Sequence, residues 1–405
     1  MKKLTIKKSN VLLLTIVLLI CVDLFSFKLT YLDEIIELFS MTIILLYYKE
    51  KNHKNMLIYL ILFFLVGLIG LFVSGYKRSI MLVIEDYLSL VKFPICLMGM
   101  QCLLEKKMKK YRRLLKKMYC ISASITLIAF IDCAVKYNTT SERILALNSR
   151  YAGIMGLYAF LFIVVVYSYM TYIVRKRTAF NIFLIILNVV IIIMTETSSA
   201  LAFTACYFLF VLKDYVRKYY KMLLFLTIPV VSYLVYNAIS WKIVGYFFTS
   251  SAPRFKLYKE AWNILIDRLP LGYGFSLFGS ATAARYYSPV YKTIGWDKIW
   301  EMREGSPFLI DAFYPALMGE TGLFGVLLYI FIISGSAYKV LVNIKGKLVV
   351  GMPLLLIGIV LLSGITSNFI NSNFGIVACF IICINCCLEN NEMQTEKGEG
   401  TKHEC

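Results

Sequence analysis

The chain has 405 residues, 60% of them hydrophobic and 17% charged, with a mean hydropathy of +0.73 and a formal net charge of +19. That hydropathy excludes an ordinary water-soluble globular domain. The charge does not point to nucleic acid: its densest run, 106–117, directly follows an apolar stretch, where basic residues meet anionic lipid headgroups.

Apolar runs separated by basic clusters predict an all-α polytopic membrane protein of about twelve transmembrane helices. The runs are 11–27, 32–48, 56–73, 81–104, 118–135, 151–173, 181–194, 200–212, 222–239, 312–333, 348–363 and 374–387. Several are shorter than the roughly 20 residues that a full crossing needs. No small-residue cleavage site follows the first run, so it is expected to stay as an uncleaved span. With the N-terminus in the cytoplasm, 27 of the 43 Lys and Arg fall in inner segments and six in short outer ones. The positive-inside rule therefore predicts both termini inside and one long loop outside. The expected organisation is an N-terminal membrane bundle of about nine spans over 1–239, then a large extracytoplasmic loop over 240–311. About three C-terminal membrane helices follow over 312–387, and 388–405 form a cytoplasmic disordered tail.

Of eleven cysteines only Cys133 falls near the outer face, so no disulfide framework is expected. Cys383, Cys386 and Cys387 read as small apolar residues in lipid or in a helix seam. Both histidines, His53 and His403, fall on the cytoplasmic side, which denies any outer-face reaction a histidine base. No outward Cys/His cluster suggests a metal, and neither metal nor other cofactor is expected. The inverted repeats that mark many transporters are not visible in the sequence.

The outer loop begins with a helix signature. Ser250 or Ser251 can cap, Pro253 suits the first turn, and Phe255, Tyr258, Trp262, Leu265 and Leu269 recur at spacings of three and four. Pro270, Gly272 and Gly274 end it, and its apolar face is expected to lie along the membrane surface. Arg254 falls in the first turn, where unpaired amides favour an anion; it either holds a phosphate or pyrophosphate or snorkels toward lipid phosphates. Arg268 lies about 21 Å further along the axis, too far to share that ligand, and reads as a helix C-terminal charge. Gly272-Tyr273-Gly274 is a turn with a weak phosphate-loop signal. Arg285, Tyr286, Tyr287, Tyr291, Trp296, Trp300, Glu301, Arg303 and Glu304 mix rings with charges, which suits sugar stacking and bidentate hydrogen bonding. Headgroup anchoring by interfacial Trp and Tyr explains the same pattern.

Ser306-Pro307 predicts another helix start, and Pro315 is expected to kink the chain just after Asp311. Glu320 stands in an apolar run, where a carboxylate is either partnered by a neighbouring span or functional. Nine helical residues put Asp311 and Glu320 on opposite faces and about 13 Å apart, which excludes a simple acid/base pair. Arg150 marks the mouth of a span beside Ala152 and Gly153, and Glu196 lies in a polar turn; the two can pair or stand in plain loops.

The order of these features resembles the O-antigen and capsular polysaccharide polymerase/ligase superfamily (Wzy and WaaL types). The resemblance is carried by Arg150 to Gly153, Thr195 to Ser199, Pro253-Arg254 with Trp262, 270–274, Asp311-Ala312-Phe313-Tyr314 and 319–325, and is clearest over about 148–330. It implies a glycosyltransferase that takes an undecaprenyl-pyrophosphate-linked oligosaccharide as donor and another lipid-linked repeat unit as acceptor, without a metal. The setting is the outer face of a bacterial plasma membrane. Arg150 and Arg254, with Arg285 or Arg303, would hold the pyrophosphate; Asp311 or Glu320 would orient or deprotonate the attacking hydroxyl. Tyr286, Trp300, Gly272 and Gly274 would line the sugar side. Ligase-type members carry His-Asn where this chain has Asp311-Ala312, which favours the polymerase branch. The alternatives are a ligase-type transferase or a flippase of lipid-linked sugars. A chain-length regulator and a flippase of the same pathway are expected companions.

Overall fold

The computed structural model describes residues 15–20, 23, 32–46, 51–104, 108–137, 149–195, 197–215, 252–342 and 351–400, and over these it is helical, with no strand. The elements are α1 (Leu32–Leu46), α2 (Lys51–Ser74), α3 (Ile80–Leu104), α4 (Met108–Tyr137), α5 (Ser149–Tyr169), α6 (Ala179–Met194) and α7 (Ser198–Tyr215). After them come α8 (Pro253–Asp267), two short helices α9 (Ala281–Arg285) and α10 (Pro289–Thr293), α11 (Phe313–Leu341), α12 (Met352–Thr366) and α13 (Asn373–Gly400). Four helical stretches are long and apolar enough to cross a membrane: Asn55–Ser74, Tyr111–Ile131, Ile154–Val174 and Phe313–Leu341. Ala179–Met194, Ser199–Val211, Met352–Thr366 and Asn373–Glu389 are apolar but shorter. The run at 222–239 lies outside the described residues, as does most of the run at 11–27.

α11 is the organising element, packing against α2, α3, α8 and α12, while α3 also packs against α1 and α13. The bundle interior is filled by large rings, among them Phe63, Phe93, Tyr158, Phe160, Phe374 and Phe380, all fully buried. Polar links cross it. The Tyr119 hydroxyl donates to Asn181 Oδ1 (2.5 Å), Thr126 to Asn188 (3.1 Å) and Ser168 to Asn385 (2.6 Å), which join α4 to α6 and α5 to α13. Outward faces stay apolar: Ile61, Ile69 and Phe72 on α2 and Ile128 and Ile131 on α4 are exposed, the kind of surface a bilayer covers.

The segment 252–311 builds a second core of its own, from Leu257, Ala261 and Ile264 of α8 with Leu277, Phe278, Tyr291, Trp296, Met302 and Leu309. α8 is therefore held by its 257/261/264 stripe, while Trp262, Ile266 and Leu269 are left exposed. The apolar periodicity through Trp262 and Leu269 marks the face that α8 does not bury in the protein. Pro253 takes the first helical position after an extended Ala252, with no side-chain cap.

The kink expected at Pro315 is elsewhere. Ala312 is extended and α11 begins at Phe313, so Pro315 falls in the first turn, where its missing amide would have had no partner. The break comes at Gly322, whose φ of 63° lies in the left-handed region. The segment 270–274 lies against this break. The Tyr273 and Gly274 amides donate to the Gly319 and Glu320 carbonyls (2.9 and 2.8 Å), and the Phe324 amide donates to the Pro270 carbonyl (3.2 Å). Three of the polar groups around the break thus find partners in the inserted segment.

Candidate functional site

Two carboxylate-centred arrangements stand on either side of the start of α11. In the first, Pro253 sets the start of α8 and so places Arg254 in its opening turn, while Ser306-Pro307 starts the short 3₁₀ turn Pro307–Ile310 that ends at Asp311. The two side chains meet in a bidentate ion pair, Arg254 Nε to Asp311 Oδ2 at 2.6 Å and Nη2 to Oδ1 at 3.2 Å. They are 20% and 27% exposed, which leaves the pair within reach of a ligand. Burial pushes the Asp311 carboxyl above the ordinary 3.8, and the neighbouring Arg254 guanidinium pulls in the opposite direction. Tyr258, one turn along α8, donates to the Ile365 carbonyl (2.8 Å), and Tyr314 donates to that of Leu361 (2.8 Å), so both tie this corner to α12. A guanidinium and a carboxylate of raised pKa, half-buried side by side, offer an anion clamp and a proton acceptor in one place.

In the second, Glu320 is fully buried. Its Oε1 accepts from the amides of Leu277 and Phe278 (3.1 Å each) and from the Ser280 hydroxyl (2.7 Å). Asp86 of α3, also buried, accepts from the Ser276 amide through Oδ2 (2.6 Å). The other oxygens of these carboxyls, Asp86 Oδ1 and Glu320 Oε2, are buried and have no hydrogen-bond partner among the described residues. Together the two residues gather the amides of an irregular segment, 271–280, that inserts between α2, α3 and α11. Irregular backbone is tolerated at such depth only where protein buries and satisfies it. Glu320 thus reads as a holder of this segment, with no oxygen turned to solvent.

Gly272 and Gly274 serve the same insertion. A Cβ on Gly272 would lie 2.5 Å from Gly319 O and from the Glu320 carbonyl carbon, and one on Gly274 would lie 2.4 Å from the Leu71 amide. These glycines are there for close backbone approach, and the phosphate-loop expectation for them finds no open space. On α2, Gly67 faces the Phe275 ring and Gly70 faces Gly272 and Gly274, which completes the groove.

The remaining expected site residues are dispersed. Arg285 pairs with Glu85 at 2.7 Å, the two side chains 58% and 33% exposed. Arg303 stacks over the Trp300 ring at 5.3 Å, and that ring is 68% exposed. Tyr286 is exposed, whereas Tyr287, Tyr291 and Trp296 are core residues of the second cluster. The Arg268 guanidinium, at the C-cap of α8, lies over Tyr273 at 4.0 Å. Arg150 stands in the first turn of α5, but its side chain lies outside the described residues, as does Glu196.

Asp86 and Arg78 were not expected. Arg78 precedes α3; its Nε and Nη2 are buried without an acceptor among the described residues. Burial lowers its pKa, against the opposing influence of Tyr291, Glu320 and Asp86. A signal for these buried acids existed: Asp86 and Glu320 each lie about two turns into an apolar helix.

No protein-family model, no curated protein and no solved structure matches this chain.

Proposed function

We propose that the chain is a polysaccharide repeat-unit polymerase. In this reading about twelve spans carry 252–311 on the outer face of a bacterial plasma membrane, with both termini inside. The donor is an undecaprenyl-pyrophosphate-linked oligosaccharide and the acceptor another lipid-linked unit. A hydroxyl oxygen of the acceptor bonds to the donor's anomeric carbon as the bond from that carbon to the diphosphate oxygen breaks. Arg254 holds the departing diphosphate with its electron pair, and Asp311 takes the hydroxyl proton. Trp300, Tyr286 and Arg303 offer the sugar chain an exposed aromatic and cationic face.

The observation that carries this reading is the half-buried Arg254–Asp311 contact, which unites the two functions of such a transfer, an anion clamp and a base, at the starts of α8 and α11. Glu320, buried and bonded to backbone amides, serves here as a positioning residue. Arg254→Ala in cells tests the reading. Loss of long chains, with single lipid-linked units accumulating on the outer leaflet, is expected. Units trapped on the inner leaflet would instead indicate a flippase, and unchanged chain length would sink the proposal.

A further inference from the structure

Resting on that reading, we infer that Asp311 is a built-in competitor for the donor diphosphate, and that donor binding is an exchange in which the diphosphate displaces Asp311 from Arg254. The geometry requires a choice. A guanidinium that takes a carboxylate in bidentate fashion through Nε and Nη2 presents to it the same edge that recognises a diphosphate. Asp311 closes a turn and stands just outside α11, with Ala312 extended behind it, so its carboxylate can swing from Arg254 without disturbing either helix. Both side chains keep a solvent-facing part from which an entering anion can attack the pair.

The exchange orders the reaction. With no donor, Asp311 is held by Arg254, whose charge and hydrogen bonds weaken its hold on a proton. When the diphosphate takes the guanidinium, the carboxylate is released beside the reacting carbon and becomes a competent base. The acceptor proton then neutralises Asp311, which can no longer contest Arg254 while the leaving group is held. Loss of that proton to water restores the carboxylate, which re-pairs with Arg254 and expels the polyprenyl diphosphate. The carboxylate also guards the site against stray phosphate when no donor is present.

Equilibrium binding of radiolabelled inorganic pyrophosphate to the full chain in lipid nanodiscs tests the exchange. Asp311→Asn, nearly isosteric and unable to pair as an anion, is expected to bind about tenfold tighter than the unaltered protein, a shift of about 1.4 kcal/mol. Arg254→Gln is expected to abolish binding in both backgrounds. Equal or weaker binding by Asp311→Asn overturns the exchange, as does a gain that persists in the Arg254→Gln, Asp311→Asn double variant. Asp311→Ser, scored by the same outcomes, takes its place should the asparagine variant not fold. Chain elongation in cells is scored separately. An Arg254-dependent gain in binding with elongation intact in Asp311→Asn supports the exchange and removes Asp311 as the base. Lost elongation with no gain in binding keeps the transferase and rejects the exchange.

Discussion

The carboxylates at the head of α11 are nine residues apart and do opposite things. Glu320 is sealed in protein, and one of its oxygens takes three donors of the inserted segment. Asp311 is partly exposed and bonded to the side chain of Arg254. The difference teaches that a charged residue's depth alone does not identify a reactive group. A buried carboxylate surrounded by backbone amides is committed to shape, whereas one held by a single displaceable guanidinium keeps its chemistry available.

The sharpest way to break this comparison is Glu320→Ala. It strands two buried amides and a hydroxyl, so a loss on the order of 3 kcal/mol or more is expected, read as a large fall in melting temperature in nanodiscs. Gly322→Ala follows, at about 2 kcal/mol. Its Cβ would stand 2.4 Å from the Leu271 carbonyl carbon in a left-handed backbone, and the same melting assay should show it. Asp311→Asn should change stability by less than about 1 kcal/mol, but lower the rate of chain elongation on the order of a hundredfold. A rate unchanged by Asp311→Asn would erase the contrast.

The pH dependence sharpens the same contrast. The folded pKa of Asp311 is raised above 3.8, so the folded protein holds this proton more tightly than the unfolded chain does. Stability from this group is therefore fully present at low pH and declines as pH rises from the ordinary carboxylate value through the raised one. Elongation runs the other way, appearing as Asp311 ionises. Both effects should vanish in Asp311→Asn, measured as melting temperature and elongation rate against pH. The smallest effect is expected from Arg285→Ala, within about 0.5 kcal/mol, because its Glu85 pair is exposed and screened; melting in high salt should already mimic it.

Much of the helical scaffold was legible in hydropathy, since long apolar runs such as those at 56–73 and 312–333 leave a chain few alternatives. Proline and serine punctuation placed the starts of α8 at Pro253 and of the turn at Pro307. Pairings were not legible. Nothing local in the sequence says that Arg254 finds Asp311 57 positions away, or that Asp86 and Glu320 bind amides of the same inserted segment, because tertiary contact decides both. The kink was misplaced for a physical reason. Proline breaks a helix only where its amide is needed, and the preceding turn had already ended, so the glycine facing the inserted segment yielded instead. Likewise the Gly272 and Gly274 turn carried a glycine signal whose cause, close approach of three backbones, belongs to the fold.

The break at Gly322 also shortens the straight rod of α11. From Leu323 to Leu341 runs a helix of about 28 Å, close to the thickness of the hydrocarbon layer. Its large exposed apolar side chains begin at Leu323 and Phe324 and continue through Leu327, Ile330 and Phe331 to Tyr338, with none above the break. The turns from Phe313 to Thr321 are instead a pedestal fused to the folded cap, their large apolar side chains covered by protein.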